Sequence, residues 1–147
     1  MVKGRYARAL VHALMVAGLA LPGSGGVARA KVTLFENLGS IHHQITTNSD
    51  LAQKFFDQGL RLVYAFNHEE AITAFTEASR LDPDAPMPYW GVALSLGPNI
   101  NAAMDSKVEP RAVEAIRQAT SRLDRAAPKE RAYVEALATR YSLKRSQ

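Results

Sequence analysis

The chain has no cysteine. No disulfide can staple the fold, and a lipid anchor built on an N-terminal cysteine is excluded, while export itself stays open. A long apolar span is also missing. The run ALVHALMVAGLAL, Ala9 to Leu21, covers thirteen residues, too few for a helix across a hydrocarbon core of roughly 30 Å at about 1.5 Å per residue. There is no Gly-x-Ser-x-Gly, no phosphate-binding glycine loop and no closely paired carboxylates, so neither an enzyme nor a cofactor is expected. Excess charge of one sign is lacking as well, once the leader is set aside. The whole chain carries 18 Lys and Arg against 14 Asp and Glu, but Lys3, Arg5, Arg8 and Arg29 lie in the first thirty residues with no acid, leaving 14 of each. The basic pI thus belongs to the leader, and a nucleic-acid partner, which demands a basic face, is not expected.

What is present begins with an address. A basic start, the apolar run, a helix-breaking PGSGG and Ala28-Arg29-Ala30 have the layout of a secretory signal peptide over residues 1–30, cut after Ala30. An uncleaved membrane anchor is the bland alternative. The reading implies export to a periplasmic or extracellular place, with no membrane attachment after cleavage. About 117 residues remain, enough for one domain with a modest core.

Residues 31–49, KVTLFENLGSIHHQITTNS, show no sustained period and read as an extended arm, with a short strand or turn at Val32–Phe35. From residue 50 the pattern is helical. Ser49 or Asn48 can cap, Asp50 suits a helix start, and Leu51, Phe55, Leu62 and Phe66 recur at helical spacing. Ala71, Ala74, Phe75, Ala78 and Leu81 form a second run that stops at Asp82-Pro83, because proline cannot continue a helix and displaces its predecessor from helical geometry.

Phe55-x2-Gln58-Gly59-x2-Leu62 followed by Ala71-x3-Phe75-x2-Ala78-x4-Pro83 resembles the tetratricopeptide repeat, a helix pair recurring about every 34 residues. One repeat length later, Tyr89, Val92, Ala93 and Leu96 take the same places. Small residues at Gly59 and Ala93 let helices approach closely, and Gln58 departs from the usual leucine. Residues 98–109 make a longer turn, Pro110 suits a first helical turn, and Ala112-x3-Ile116-x2-Ala119 restores the pattern seven residues late. Val134-x2-Leu137-Ala138-x2-Tyr141 then opens a half repeat. The expected fold is all-α: antiparallel hairpins stacked as a short solenoid of about five helices over residues 50–147, with repeats near 50–84 and 86–126 and a half repeat at 128–143. Stacks of this kind need about three units and a polar cap. The last helix is therefore either a cap, a self-association face through Val134, Leu137 and Tyr141, or the start of a missing pair in a truncated chain without independent function.

The turn Ala65-Phe66-Asn67-His68 aligns with Asn99-Ile100-Asn101-Ala102. Asn67 can cap the second helix with Glu70 completing a capping-box-like pair, and Phe66 and Ile100 are expected to plug the hairpin ends. His68, together with His42 and His43 of the arm and with Asn99 and Asn101, could form a metal or small polar-ligand site on one stacked edge. Surface or capping roles for these side chains are the plainer alternative. No His-x3-His spacing marks a metal centre.

The first helices of such stacks line a concave face. Phe56, Leu60, Val63 and Tyr64 from repeat one, and Met87, Trp90 and Leu94 from repeat two, should form an apolar groove there, with Gln53 and Asp57 at its margin. An exposed apolar groove marks an interaction site, so a peptide or protein partner is expected, with Tyr64 and Trp90 as anchors. Repeat proteins that grip a C-terminal carboxylate use Lys, Asn and Arg on this face, where Phe56, Leu60 and Trp90 stand here. Alternatively the arm, through Val32, Leu34, Phe35, Leu38 and Ile41, folds back and fills the groove.

The blocks GSIHHQITT, FFDQGLRLVYAFNHEEAITAF and LDPDAPMPYWGVALSLGPNINAAMD, between residues 39 and 105, resemble exported bacterial tetratricopeptide-repeat proteins. That resemblance implies a chain usually much longer, places His42, His68, Trp90, Asn99 and Asn101 in shared motifs, and supplies no reaction for them.

Overall fold

The computed structural model describes residues 32–141. The expected signal peptide, Lys31 and residues 142–147 lie outside the described residues. Five α-helices follow one another: α1 Asp50–Tyr64, α2 His68–Leu81, α3 Pro86–Leu96, α4 Glu109–Thr120 and α5 Pro128–Arg140. No strand occurs among the described residues, so Val32–Phe35 is extended without β pairing; the isolated bridge Asn99–Ala102 sits in the α3–α4 connection.

Local chemistry sets the helix ends. Ser49 Oγ accepts the Ala52 N–H at 3.1 Å and Asp50 stands in the first turn of α1. Asn67 Oδ1 accepts the Glu70 N–H at 3.4 Å to start α2, and α2 stops at Leu81 before Asp82-Pro83. Pro86, Pro110 and Pro128 stand in the first turns of α3, α4 and α5, where a missing N–H costs nothing.

Packing joins α1 with α2 and α3 with α4, and α3 also touches α1, α2 and α5. At the centre lies the Phe75 ring, which has no exposure and meets Phe56 at 5.4 Å between centroids. A Cβ added at Gly59 would stand 2.7 Å from that ring, and one at Gly91 2.5 Å. The close approach between α1, α2 and α3 therefore needs glycine at both places. Gly59 has its expected role; Gly91, two positions before the expected Ala93, is its partner on the ring. Ala93 is fully buried and its carbonyl accepts the Tyr141 hydroxyl at 2.6 Å.

Val134, Leu137 and Tyr141 are all buried within the chain, which corrects the expectation of an open self-association face. They pack inward on α3 and α4, while α5 turns Arg131, Ala132, Tyr133, Glu135, Ala136, Thr139 and Arg140 to solvent. Apart from Tyr133, which is 41% exposed, the outer face of α5 is polar or small.

The hairpin turn also departs from expectation. Phe66 and Ile100 are 58% and 90% exposed, so neither plugs a hairpin. Phe66 adopts φ 59°, a backbone region that bulky residues rarely enter. Its N–H reaches the Val63 carbonyl and the Asn67 N–H reaches the Leu62 carbonyl, at 3.0 and 2.9 Å. That is the C-terminal lock that glycine usually makes. Phe66→Gly should therefore raise stability by about 1 kcal/mol, the left-handed cost less the added freedom of the unfolded chain. The check is urea unfolding; a lower midpoint would mean that the exposed ring holds the fold.

Candidate functional site

The arm is the first component of the site, because α1 holds it through side chains. Asp57 Oδ2 lies 2.7 Å from His42 Nδ1, and Asp57 Oδ1 accepts the His43 N–H at 3.0 Å. The hydrogen bond and charge of Asp57 raise the pKa of His42 above the ordinary histidine value. Gln53 accepts the Ile45 N–H and donates to the His43 carbonyl, both at 2.9 Å. Gln58 accepts the Phe35 N–H at 2.7 Å and donates to the Thr33 carbonyl at 3.0 Å. Arg61 donates to the Ile41 carbonyl at 2.7 Å. Each glutamine thus reads a carbonyl and the N–H two residues on, as a peptide group would.

Two further carboxylates complete the attachment. Asp82, at the end of α2, accepts Thr47 Oγ1–H at 2.6 Å and the Asn48 N–H at 2.8 Å. Burial pushes its carboxyl up, but the hydrogen bonds from Thr47, Asn48, Asp84 and Ala85 outweigh that and bring it below the usual carboxylate range. Glu130 on α5 is buried and accepts the Thr46 N–H at 2.6 Å and the Ala127 N–H at 2.8 Å. Buried polar groups are tolerated when paired in this way.

The second component is an aromatic pocket. His43, Phe56, Leu60, Tyr64, Met87, Trp90 and Tyr133 surround a cavity of about 80 Å³. Five of the seven expected groove residues, Phe56, Leu60, Tyr64, Met87 and Trp90, meet there; Val63 and Leu94 are half-buried against the core and do not line it. Phe56, Leu60 and Met87 are themselves buried, so they form a floor rather than an open channel. Tyr64, 67% exposed, stands at the rim. Trp90 donates its indole N–H to the Tyr133 carbonyl at 3.1 Å, and the two rings lie 5.8 Å apart. The His43 ring lies 6.2 Å from Phe56 and 5.9 Å from Tyr133, and Lys129 Nζ stands 5.9 Å from the Tyr133 centroid.

Tyr133 was not legible as a site residue, because the inward spacing of α5 points to Val134 and Leu137 instead. Gln58 did carry a signal, a polar side chain where the repeat has leucine.

The histidines do not meet on one edge. His42 is held at Asp57 in the middle of α1, whereas His68 opens α2 beyond the end of α1, about 10 Å farther along by helical rise. His68 Nε2 lies 3.5 Å from Asn99 Nδ2, its Nδ1 is buried without a hydrogen-bond partner in the described structure, and Asn101 is exposed, its N–H on Asn99 Oδ1 at 2.8 Å. No group of three or more His, Cys, Asp or Glu among the described residues is placed to hold a metal ion. The expected five-residue ligand site is thus two separate clusters, and His43 is a wall of the aromatic pocket. No family model, curated protein or solved structure matches this chain.

Proposed function

We propose that the chain is an exported scaffold of the tetratricopeptide type that holds a peptide or protein partner at its aromatic pocket. The helix pairs α1–α2 and α3–α4 are its two repeats, and α5 is a capping half repeat. One observation carries the reading: Phe56, Leu60, Tyr64, Met87 and Trp90, from two helices, converge with His43 and Tyr133 on a single concavity. At about 80 Å³ the cavity falls well below the several hundred Å³ of a small-molecule site. It suits one apolar side chain of a longer partner, held by aromatic contacts of the kind that anchor interfaces. Export rests on the leader. Among the described residues no helix is long and apolar enough to cross a membrane.

Trp90 is the only tryptophan of the chain, so its fluorescence reads the pocket directly. Peptides selected by display on the immobilised mature chain should shift that emission. Trp90→Ala and Tyr133→Ala should each weaken their binding at least tenfold, with helical circular dichroism retained. Peptides that bind Trp90→Ala as tightly as the parent would remove this reading.

A further inference from the structure

The arm divides into two parts of different attachment. Residues 42–49 are tied by Gln53, Asp57, Asp82 and Glu130, with Ile45 buried beneath them. Among the described residues, residues 32–38 are tied by side-chain hydrogen bonds only to the Gln58 amide, which holds the Thr33 carbonyl and the Phe35 N–H, and by packing of Val32, Leu34 and Leu38 on the core. Between the parts stands Gly39 at φ 79°, with nothing within 4 Å of a Cβ placed there. This is open space around a residue free to turn either way. Within residues 32–38, Val32, Leu34 and Leu38 are half-buried against the core while Thr33, Phe35, Glu36 and Asn37 are exposed. Over 32–35 that is the two-residue alternation of an extended chain lying on an apolar surface, which Glu36 interrupts.

Gln58 is buried, and the bonds it makes go to backbone atoms of the arm. The surface therefore recognises an extended backbone through the amide and alternate apolar side chains through the core beside it. Nothing in those contacts requires the sequence of the arm itself. We propose that this face of α1 is a docking track for an extended segment of a partner protein with apolar residues at alternate positions. Residues 32–38 occupy it as an internal stand-in that swings away about Gly39. The inference rests on the partner-binding reading above and names the chemistry of what binds. The track and the aromatic pocket lie on the same helix, since Gln58 belongs to the track and Phe56 and Leu60 to the pocket. They face opposite sides of it, since positions 56 and 60 stand about 160° from position 58 at 3.6 residues per turn. The track is thus a surface separate from the pocket.

The probe is a fluorescein-labelled peptide of residues 32–38, VTLFENL, titrated against the full mature chain. The parent chain, with its own segment in place, should bind it weakly. Leu34→Asp, which makes that segment unfit for the apolar surface, should bind the probe at least tenfold more tightly. Adding Gln58→Ala should reverse the gain, whereas adding Trp90→Ala should not. The last pair separates this inference from the pocket reading, because probe binding reads Gln58 and display-selected peptides read Trp90. A folded Leu34→Asp chain that fails to bind the probe would overturn the proposal, as would dimers of the parent chain that exchange these segments. Hydrogen exchange on the parent chain tests the same point without substitution. The Phe35 amide should exchange at least tenfold faster than those of His43 and Thr46, and equal protection would count against a separable segment.

Discussion

Phe75→Ala should cost about 3–5 kcal/mol, as expected for removing a fully buried phenylalanine ring. Ordinary domains have roughly 5–15 kcal/mol in total, so the loss takes about a fifth or more of the stability and is read as a large fall in urea midpoint. The reason is specific to this core. Two of the walls against the ring are Gly59 and Gly91, which have no side chains to lean into the vacated space. The converse follows from the same contacts. In the parent chain Gly91→Ala should destabilise by about 1–3 kcal/mol, because its methyl would overlap the ring and overpacking outweighs the gain of about 1 kcal/mol in helix propensity. In the Phe75→Ala background the overlap is gone, and Gly91→Ala should become neutral or stabilising. A double-mutant cycle reads this sign reversal. Additive effects would show that ring and glycine do not share the contact.

Glu130→Ala should cost about 1–3 kcal/mol, the loss of two charge-assisted hydrogen bonds whose donors, on the exposed residues Thr46 and Ala127, water can partly satisfy. One donor, Ala127 N–H, begins α5, where the N-cap alanine has no oxygen of its own. The other, Thr46 N–H, belongs to the arm, 84 residues away in the chain. A single carboxylate thus fastens the first described segment to the last helix. Glu130→Gln retains one acceptor oxygen but turns an amide N–H₂ toward the second donor, so its cost should fall between parent and alanine. The separating measurement is hydrogen exchange. The Thr46 amide should lose protection in Glu130→Ala while the amides of α2 keep theirs under native conditions. Unchanged protection at Thr46 would show that the bond contributes nothing to holding the arm. The same substitution should also alter Trp90 fluorescence, because α5 supplies the Tyr133 carbonyl that its indole N–H meets.

Both predictions concern residues whose roles the linear pattern only partly disclosed. Helix identity was legible throughout, because apolar spacing, a capping Ser or Asn and the placement of proline act within a few residues of one another. The stop of α2 before Asp82-Pro83 and the start of α5 at Pro128 were readable for that reason. Phe56, Leu60, Tyr64, Met87 and Trp90 meet on one concavity, as the spacing of their apolar runs led one to expect, whereas Val63 and Leu94 do not line it. The hairpin tip was not legible. Phe66 looks like a core residue by spacing, yet the backbone reversal at φ 59° turns it to solvent.

The sequence by itself determined the helices, their ends and the small residue at position 59, since each depends on neighbours along the chain. Tertiary structure alone decided that Gly91 joins Gly59 against Phe75, that Tyr133 borders Trp90 and that Val134 and Leu137 of α5 are buried. It also decided that the arm lies on α1, read by two glutamine amides and by the carboxylates of Asp57, Asp82 and Glu130. The physical reason is common to all of these. Burying a backbone N–H requires some acceptor nearby, but any of many side chains can supply it, and only the folded path of the chain determines which one does.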